Sequence, residues 1–157
     1  MTNYKPVTEE VLEELRKAVG AEHVKNDAET LERYKTDEEP DAHYHHLPEV
    51  VVAPGSTEEV AAVMKIANKY LVPVTPRSAD SCMIGGNIAT NAGGNKAVRY
   101  GTTRHQVYSI EVVTPTGEIA ELGNRLKKCS TGYCLDQLVM GSEGTLGIIT
   151  KVCLKLL

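Results

Sequence analysis

The sequence contains no phenylalanine and no tryptophan, and only 4% of its 157 residues are aromatic. A core must therefore be built from Val, Ile, Leu, Met and the seven Tyr. The length is sufficient for one ordinary domain with a real core. Hydrophobic residues make up 41% and charged residues 24%, a balance that is typical of a soluble globular protein and not of a disordered one.

Long apolar runs and basic clusters are also missing. No run approaches the roughly 20 apolar residues that a membrane helix needs, and the opening MTNYKPVTEEV lacks the apolar segment of a secretory signal. The net charge is −4 and no cluster of Lys or Arg stands out, so nucleic acid is not an expected partner. We expect a cytoplasmic protein without a transmembrane segment, which protein partners could still hold at a membrane.

Cysteine and histidine give little sign of a metal site. No CxxC pair exists, so we expect reduced thiols, with a Cys129–Cys134 disulfide as the less favoured alternative; the four cysteines are Cys82, Cys129, Cys134 and Cys153. His43, His45 and His46 lie between two prolines without a matching Cys or carboxylate cluster. We interpret them as a solvated loop and keep metal binding as the weaker alternative.

Hydrophobic periodicity predicts an α+β fold. Helices are predicted from Thr8 to Val19, around Glu29–Tyr34, from the Ser56 capping box to Tyr70, and over Tyr133–Met140. Strands are predicted at Val50–Ala53, Pro73–Pro76, Val107–Thr114, Glu118–Leu122 and Leu146–Leu156. The first two strands flank a helix and make a small β-α-β unit, whereas the later strands are mainly antiparallel.

The stretch Ile84–Gly94 reads IGGNIATNAGG and is the main candidate for a binding site. Glycines let the backbone approach a ligand closely, and consecutive N–H groups can form a concavity that binds anions. Thr90 and the two asparagines add short polar side chains. A phosphate cradle and a pair of tight turns are about equally compatible with this composition. Neither GxxxxGK[ST] nor GxGxxG is present, so a P-loop and a Rossmann dinucleotide site are not supported.

The wider pattern resembles a known family. The strings PEVVVAPGSTEEVAAVMKIANKYLVPVTPR, SCMIGGNIATNAGGNKAVRYGTTR, EVVTPTGEI and GYCLDQLVMGSEGTLGIIT follow one another as in the FAD-binding domain of the vanillyl-alcohol oxidase/PCMH superfamily. The branch most like this chain is that of the glycolate oxidase FAD subunit and the FAD-dependent D-lactate dehydrogenases. The resemblance covers roughly residues 30–157.

This resemblance implies a two-lobed FAD-binding domain. Residues 1–47 would be an N-terminal helical or irregular segment, 48–80 a truncated first lobe and 81–157 the second lobe. FAD would lie between the lobes, bound largely by backbone groups. The positions implied to line it are Pro76, Arg77, Cys82, Ile84, Gly85, Gly86, Asn87, Asn91, Ala92, Gly93, Gly94, Tyr100, Gly101, Glu143, Gly144, Gly147 and Ile149. Arg77 would neutralise the pyrophosphate, unless it is an ordinary surface arginine.

The pattern departs from the family in two places. Pro76-Arg77 runs directly into Ser78, where the family has a second glycine-rich loop, several strands and a helix, so an internal block looks deleted. From the resemblance we also expect the cap domain, which carries most of the substrate site in the family, to be absent. No residue matches the family's catalytic groups, and His105 is expected to be a surface or structural residue. We therefore expect weak FAD binding and no turnover by this chain alone.

Two functions are compatible with these observations. The first is the FAD-binding portion of an oxidoreductase that oxidises a 2-hydroxy acid of the glycolate or D-lactate type to the 2-oxo acid, by hydride transfer to FAD. In that case other subunits of an oxidase complex are candidate partners. The alternative is a folded module that no longer binds FAD and that self-associates through open sheet edges.

Overall fold

The computed structural model describes residues 3–36, 43, 45–77, 84–126 and 130–155. The chain divides into two compact units, Met1–Val74 and Thr75–Leu157. The first unit contains α1 (Glu9–Val19), β1 (Val24–Lys25), α2 (Ala28–Arg33), β2 (Val51–Val52) and α3 (Thr57–Tyr70). The second contains α4 (Ile84–Ala89), α5 (Ala97–Tyr100), β3 (Val107–Val113), β4 (Ile119–Gly123), α6 (Leu135–Val139) and β5 (Ile148–Leu154).

The first unit is built around the apolar face of α1. The apolar residues predicted at helical spacing are the buried ones, and partly buried side chains of β2 and α3 pack against them. The buried residues of this cluster are Val11, Leu12, Leu15, Val19 and Val24. The amphipathic pattern therefore predicted this helix and its buried face correctly.

The helix ends follow the signals in the sequence. Gly20 takes a φ of +91° just after α1, which a residue with a Cβ adopts only with strain. At the start of α3 the Ser56 hydroxyl accepts from the Glu59 amide at 3.2 Å, as the predicted capping box requires. The Glu59 carboxylate returns to the Gly55 amide at 2.7 Å, one residue before the cap.

The strand predicted at Pro73–Pro76 does not form, so the described residues contain no parallel β-α-β pair. Two prolines in four residues remove two backbone N–H donors, which weakens any ladder there. Instead β2 pairs antiparallel with β1, in the register Val24↔Val52 and Lys25↔Val51. Both β2 residues are half-buried, although the sequence predicted a buried strand.

The second unit is organised by a three-stranded antiparallel sheet in the order β4-β3-β5. The predicted hairpin is confirmed, with Val113 opposite Ile119 and Ser109 opposite Gly123. The β3–β5 ladder contains a register shift between Glu111 and Val112. Mixed helices and an antiparallel sheet confirm the α+β class.

One face of this sheet carries the core of the second unit. Ile110 and Val112 of β3 are buried there beneath residues from α4 and α6 and the residue that follows α6. Those covering residues are Ile88, Val139 and Met140, and Ile88 is fully inaccessible to solvent. The sheet therefore fixes the positions of α4 and of the chain after α6.

No helix within the described residues combines the length and the apolar character that crossing a bilayer would require.

Candidate functional site

The glycine-rich stretch begins with a short helix, which the sequence did not predict. Residues Ile84–Ala89 form α4, although two of its six residues are glycines. Burial of Ile88 in the core offsets the poor helix propensity of glycine. The first amide groups of a helix have no acceptor inside the helix. Ile84, Gly85 and Gly86 are the first three residues of α4.

The end of α4 is joined to the turn Gly141–Gly144. The Gly141 amide donates to the Ile88 carbonyl at 3.2 Å, and the Glu143 amide donates to the Ala89 carbonyl at 2.9 Å. Gly141, Glu143 and Gly144 all have positive φ angles, of +91°, +53° and +82°. A positive φ is unfavourable for Glu143, so the surrounding bonds hold this turn in a strained conformation.

Pro76 lies directly behind this turn. A Cβ atom added to Gly144 would be only 2.7 Å from Pro76 Cγ, closer than real Cβ contacts. Two predicted site residues, distant in the sequence, therefore meet in the second unit. Arg77 is exposed. Cys82, the junction at Ser78 and Cys129 of the alternative disulfide lie outside the described residues.

A second connection links the end of the glycine-rich stretch to residues 102–104. The Thr103 amide and hydroxyl both donate to the Ala92 carbonyl, at 3.0 and 2.8 Å. The Arg104 amide donates to Asn91 Oδ1 at 3.1 Å, and Asn91 has a φ of +51°. The Thr90 hydroxyl donates to the Gly86 carbonyl at 2.9 Å. The side-chain oxygens of Thr90 and Asn91 thus bond within the protein.

Gly93 and Gly94 remain accessible. A Cβ on Gly94 would meet no atom of the described residues within 4 Å, and one on Gly93 would make only ordinary contacts, the nearest at 3.5 Å with Thr102. Packing among the described residues therefore requires neither glycine. A ligand that approaches the backbone here would supply a reason for both.

The neighbouring positions have structural roles. The Tyr100 carbonyl accepts from the Gln106 side chain at 2.7 Å, and Gly101, at a φ of +79°, lies against the His105 ring. His105 Nδ1 in turn accepts from the Thr102 amide at 3.1 Å. His105 is therefore a structural residue, as the sequence predicted.

The last two predicted residues lie at the sheet. Gly147 approaches Val113 so closely that a Cβ would be 2.8 Å from the Val113 carbonyl oxygen. Ile149 belongs to β5 and packs against the buried core. Asn87 is half-buried in α4.

Sequence reasoning missed Arg104. Its bonds to Asn91 and Met140 span 13 and 36 residues, and contacts across such separations leave no local signal in the sequence.

The metal alternative gains no support. Within the part of the chain that the structure describes, no three His, Cys, Asp or Glu side chains surround a candidate metal position. His43, His45 and His46 are among the described residues, whereas Tyr44 is not.

Comparison with protein families gives one match in this region. Residues 76–123 match the family described as "FAD binding domain". The match spans Pro76, α4, the stretch to Gly94, and the β3–β4 hairpin.

Three relatives are similar in sequence. The D-lactate dehydrogenase of Anaerostipes hadrus is 36% identical over 173 residues, covering 70% of this chain and 36% of the relative. The D-2-hydroxyglutarate dehydrogenase of Xanthomonas citri pv. viticola is 54% identical over 84 residues, covering 54% and 18%. The mitochondrial D-lactate dehydrogenase [cytochrome] of Arabidopsis thaliana is 29% identical over 218 residues, covering 98% and 38%. This chain thus spans less than two-fifths of each relative's length.

Two solved structures share the fold. Alkyldihydroxyacetonephosphate synthase superposes with a TM-score of 0.74 at 20% identity, covering 99% of this chain and 41% of that one. The 4-ethylphenol oxidase from Gulosibacter chungangensis gives 0.71 at 17% identity, covering 95% and 42%.

The sequence matches and the shared fold define the class of this domain as FAD-binding of the PCMH type. The chain carries an FAD-binding domain of the vanillyl-alcohol oxidase/PCMH superfamily, and FAD is the cofactor of this domain. The domain is of the kind found in FAD-linked D-lactate and D-2-hydroxyglutarate dehydrogenase-like oxidoreductases.

The lengths of the matches also bear on the internal deletion. The A. hadrus match is 173 residues long but takes up 70% of 157 residues, about 110, so about 60 positions face no residue of this chain. The A. thaliana match is 218 residues long and includes 98% of this chain, about 154 residues. About 60 positions of that match again face no residue of this chain. Both agree with a missing internal block; its predicted place between Arg77 and Ser78 stays a prediction.

Proposed function

We propose that α4, the stretch Asn91–Gly94 and the turn Gly141–Gly144 form one wall of the FAD site of a 2-hydroxy-acid oxidoreductase. The observation that carries this proposal is the joining of these three segments by backbone hydrogen bonds around solvent-accessible glycines. All 17 residues that the resemblance implies to line FAD are included in this proposal as FAD-lining residues.

The described residues fit the chemistry of a pyrophosphate. Phosphate oxygens need N–H donors and positive potential, and a helix start supplies both. Gly93 and Gly94 leave room for a phosphate to approach the backbone closely, and the α4 amides are proposed as further donors to it. Arg77, exposed just after Pro76, is the proposed cation that neutralises the phosphates. FAD, when bound, supplies acceptance of a hydride from the α-carbon of the substrate.

The parent substrate is proposed to be a 2-hydroxy acid. D-lactate and D-2-hydroxyglutarate are named for the relatives, and both carry a hydroxyl beside a carboxylate. Glycolate is a smaller acid of the same class and stays a candidate. A cytoplasmic location and association with other subunits also stay predictions, since one of the three relatives is mitochondrial by name.

The test of the site uses Gly94→Ala. This Cβ would enter open space in the protein, so stability should be unchanged. If FAD lies against the backbone there, the methyl group would displace it, and we expect FAD affinity to fall about tenfold, equivalent to about 1.4 kcal/mol. Binding is followed by the flavin's own absorbance and fluorescence, because the chain has no tryptophan.

Gly55→Ala is the matched control. Its Cβ would also be free of close contacts, the nearest atom being 3.8 Å away on Glu59, and it lies outside the family match. The control should bind FAD like the unmodified chain. Equal affinity of all three proteins for FAD would contradict the proposed wall, and failure of the unmodified chain to bind FAD would contradict the function itself.

Turnover is a separate question. We expect this chain to bind FAD weakly and to leave D-lactate and glycolate unoxidised, because no residue of this sequence matches the family's catalytic groups. Dye reduction with either acid by the purified chain would overturn that expectation.

A second candidate function rests on the sheet edges. In the described residues β4 and β5 each pair on one side only, with β3. Such edges favour pairing with a second chain. A colourless oligomer that takes up no FAD would support a self-associating module, whereas a yellow protein with flavin absorbance would support the first proposal.

A further inference from the structure

Arg104 occupies the junction between the two segments of the proposed FAD wall. Its backbone amide donates to Asn91 Oδ1 at 3.1 Å, and its guanidinium Nη2 donates to the Met140 carbonyl at 2.9 Å. A Cβ added to Gly141 would be 3.2 Å from this Nη2 and 3.3 Å from Asn91 Cβ. Arg104 therefore bonds to two places: to Asn91, which lies just after α4, and to Met140, which precedes the turn Gly141–Gly144.

Burial of part of the Arg104 guanidinium has a cost in folding free energy. Its Nε atom is buried and has no hydrogen-bond partner in the described part of the chain. No carboxylate of the described residues lies within ion-pair distance of it either. A buried donor without a partner opposes folding. The arginine is thus poorly explained by stability alone.

The segments that it joins are those with unfavourable backbone conformations. Asn91 and Glu143 are non-glycine residues with φ of +51° and +53°, one on each side of the junction. Strained conformations persist only where surrounding bonds determine them. The bonds of Arg104 to Asn91 and Met140 are bonds of that kind.

We propose that Arg104 is a positioning residue of the FAD site, whose guanidinium holds Met140, and with it the turn Gly141–Gly144, in the arrangement that FAD binding requires. Its backbone amide holds the Asn91 side chain, and this bond is kept in every variant of residue 104 that retains the amide. This inference rests on the proposed function. The guanidinium, and not simply a positive charge, is required, because its donors are planar and fixed in direction whereas an ammonium is a point charge on a flexible stem.

The experiment compares Arg104→Met, Arg104→Lys and Arg125→Met in the full chain. Arg125 is exposed and its substitution removes the same charge from the same unit, so it controls for net charge. FAD dissociation constants, the visible circular dichroism of the bound flavin, and the melting temperature without FAD are measured for each protein.

We expect Arg104→Met to weaken FAD binding at least tenfold and to change the flavin dichroism, with little change in melting temperature without FAD. Arg104→Lys should remain several-fold weaker despite its charge, and Arg125→Met should stay within twofold of the unmodified chain. Added guanidinium ion, compared with sodium at equal ionic strength, should partly restore FAD binding to Arg104→Met.

Three outcomes overturn the inference. If Arg104→Met binds FAD with unchanged affinity and dichroism, Arg104 does not position the site. If Arg104→Met does not fold, Arg104→Lys decides, and unchanged FAD binding by that variant refutes the need for a guanidinium. If the unmodified chain itself binds no FAD, the proposed function fails and this inference fails with it.

Discussion

Replacement of Gly144 by alanine tests the contact between Pro76 and the turn Gly141–Gly144. Gly144 has a φ of +82°, a region that costs an L-residue about 1–2 kcal/mol. Its new Cβ would also lie 2.7 Å from Pro76 Cγ, so the proline or the turn must move. Overpacking of this kind costs about 1–3 kcal/mol. The expected loss in free energy of unfolding is therefore about 2–5 kcal/mol.

Gly132→Ala separates the two contributions. Gly132 has a similar φ of +75°, but a Cβ there would meet no atom of the described residues within 4 Å. Its substitution should cost only the backbone term, about 1–2 kcal/mol. Urea unfolding followed by far-UV circular dichroism measures both variants. If Gly144→Ala is no more destabilising than Gly132→Ala, Pro76 does not pack behind the turn and the meeting of these two segments is refuted.

Two further predictions concern the two units. Ile88→Ala should lower the free energy of unfolding by about 2–5 kcal/mol, because Ile88 is fully buried between α4 and the sheet; a loss below about 1 kcal/mol in urea unfolding would contradict that packing. Hydrogen bonds from Lys69 (Nζ–Oε1 2.5 Å) and then Tyr70 hold the pKa of Glu14 below its ordinary value. The ionised carboxylate therefore contributes stability above the unfolded-state pKa, and this contribution is lost as pH falls through the depressed folded-state pKa. Glu14→Gln should thus be less stable than the unmodified chain at neutral pH, with a difference that vanishes in acid; urea midpoints that differ equally at both pH values would contradict it.

Local signals predicted most of the first unit and the sheet of the second. The α1 stripe, the Ser56 capping box and the hairpin between β3 and β4 each depend on residues close in sequence. Such signals act through periodicity and nearby hydrogen bonds, so they can be recognised in a single chain. The boundaries agree with the structure to within one or two residues for these elements.

The sequence did not predict α4 or the pairing of β1 with β2. Glycine-rich residues 84–94 left a phosphate cradle and a pair of tight turns open and did not indicate a helix, but burial of Ile88 against the sheet stabilises a helix that propensity alone disfavours. The partner of β2 is a strand of only two residues, too short to give a period. At Pro73–Pro76 the β-branched residues favoured a strand, and the two missing N–H donors outweighed them.

The sequence marked the glycine-rich stretch as a candidate site, and its residue assignments stay a prediction; how those residues are held was not predictable. Glycine density marked the stretch, yet the bonds that organise it run from Ala89 to Glu143, from Asn91 to Arg104 and from Arg104 to Met140. Contacts across such separations depend on the sheet that brings the segments together. Sequence reasoning could therefore propose these segments as a site without finding Arg104, which bonds to Asn91 and Met140.

Two features have separate effects on the expected FAD affinity: the block predicted to be missing between Arg77 and Ser78, and the ordered structure of the proposed wall. The wall is held by bonds within the protein, so FAD binding need not bear the entropy cost of ordering it. The matches to the two D-lactate dehydrogenases each contain about 60 positions that face no residue of this chain, and under the proposed function any contacts of those positions with FAD would be missing here. A weak affinity would then arise from contacts that are absent and not from disorder in those that remain. It follows that substitutions within the wall, such as Gly94→Ala, should still change FAD affinity by their full amount in this shortened chain, because they act on a surface that is already formed.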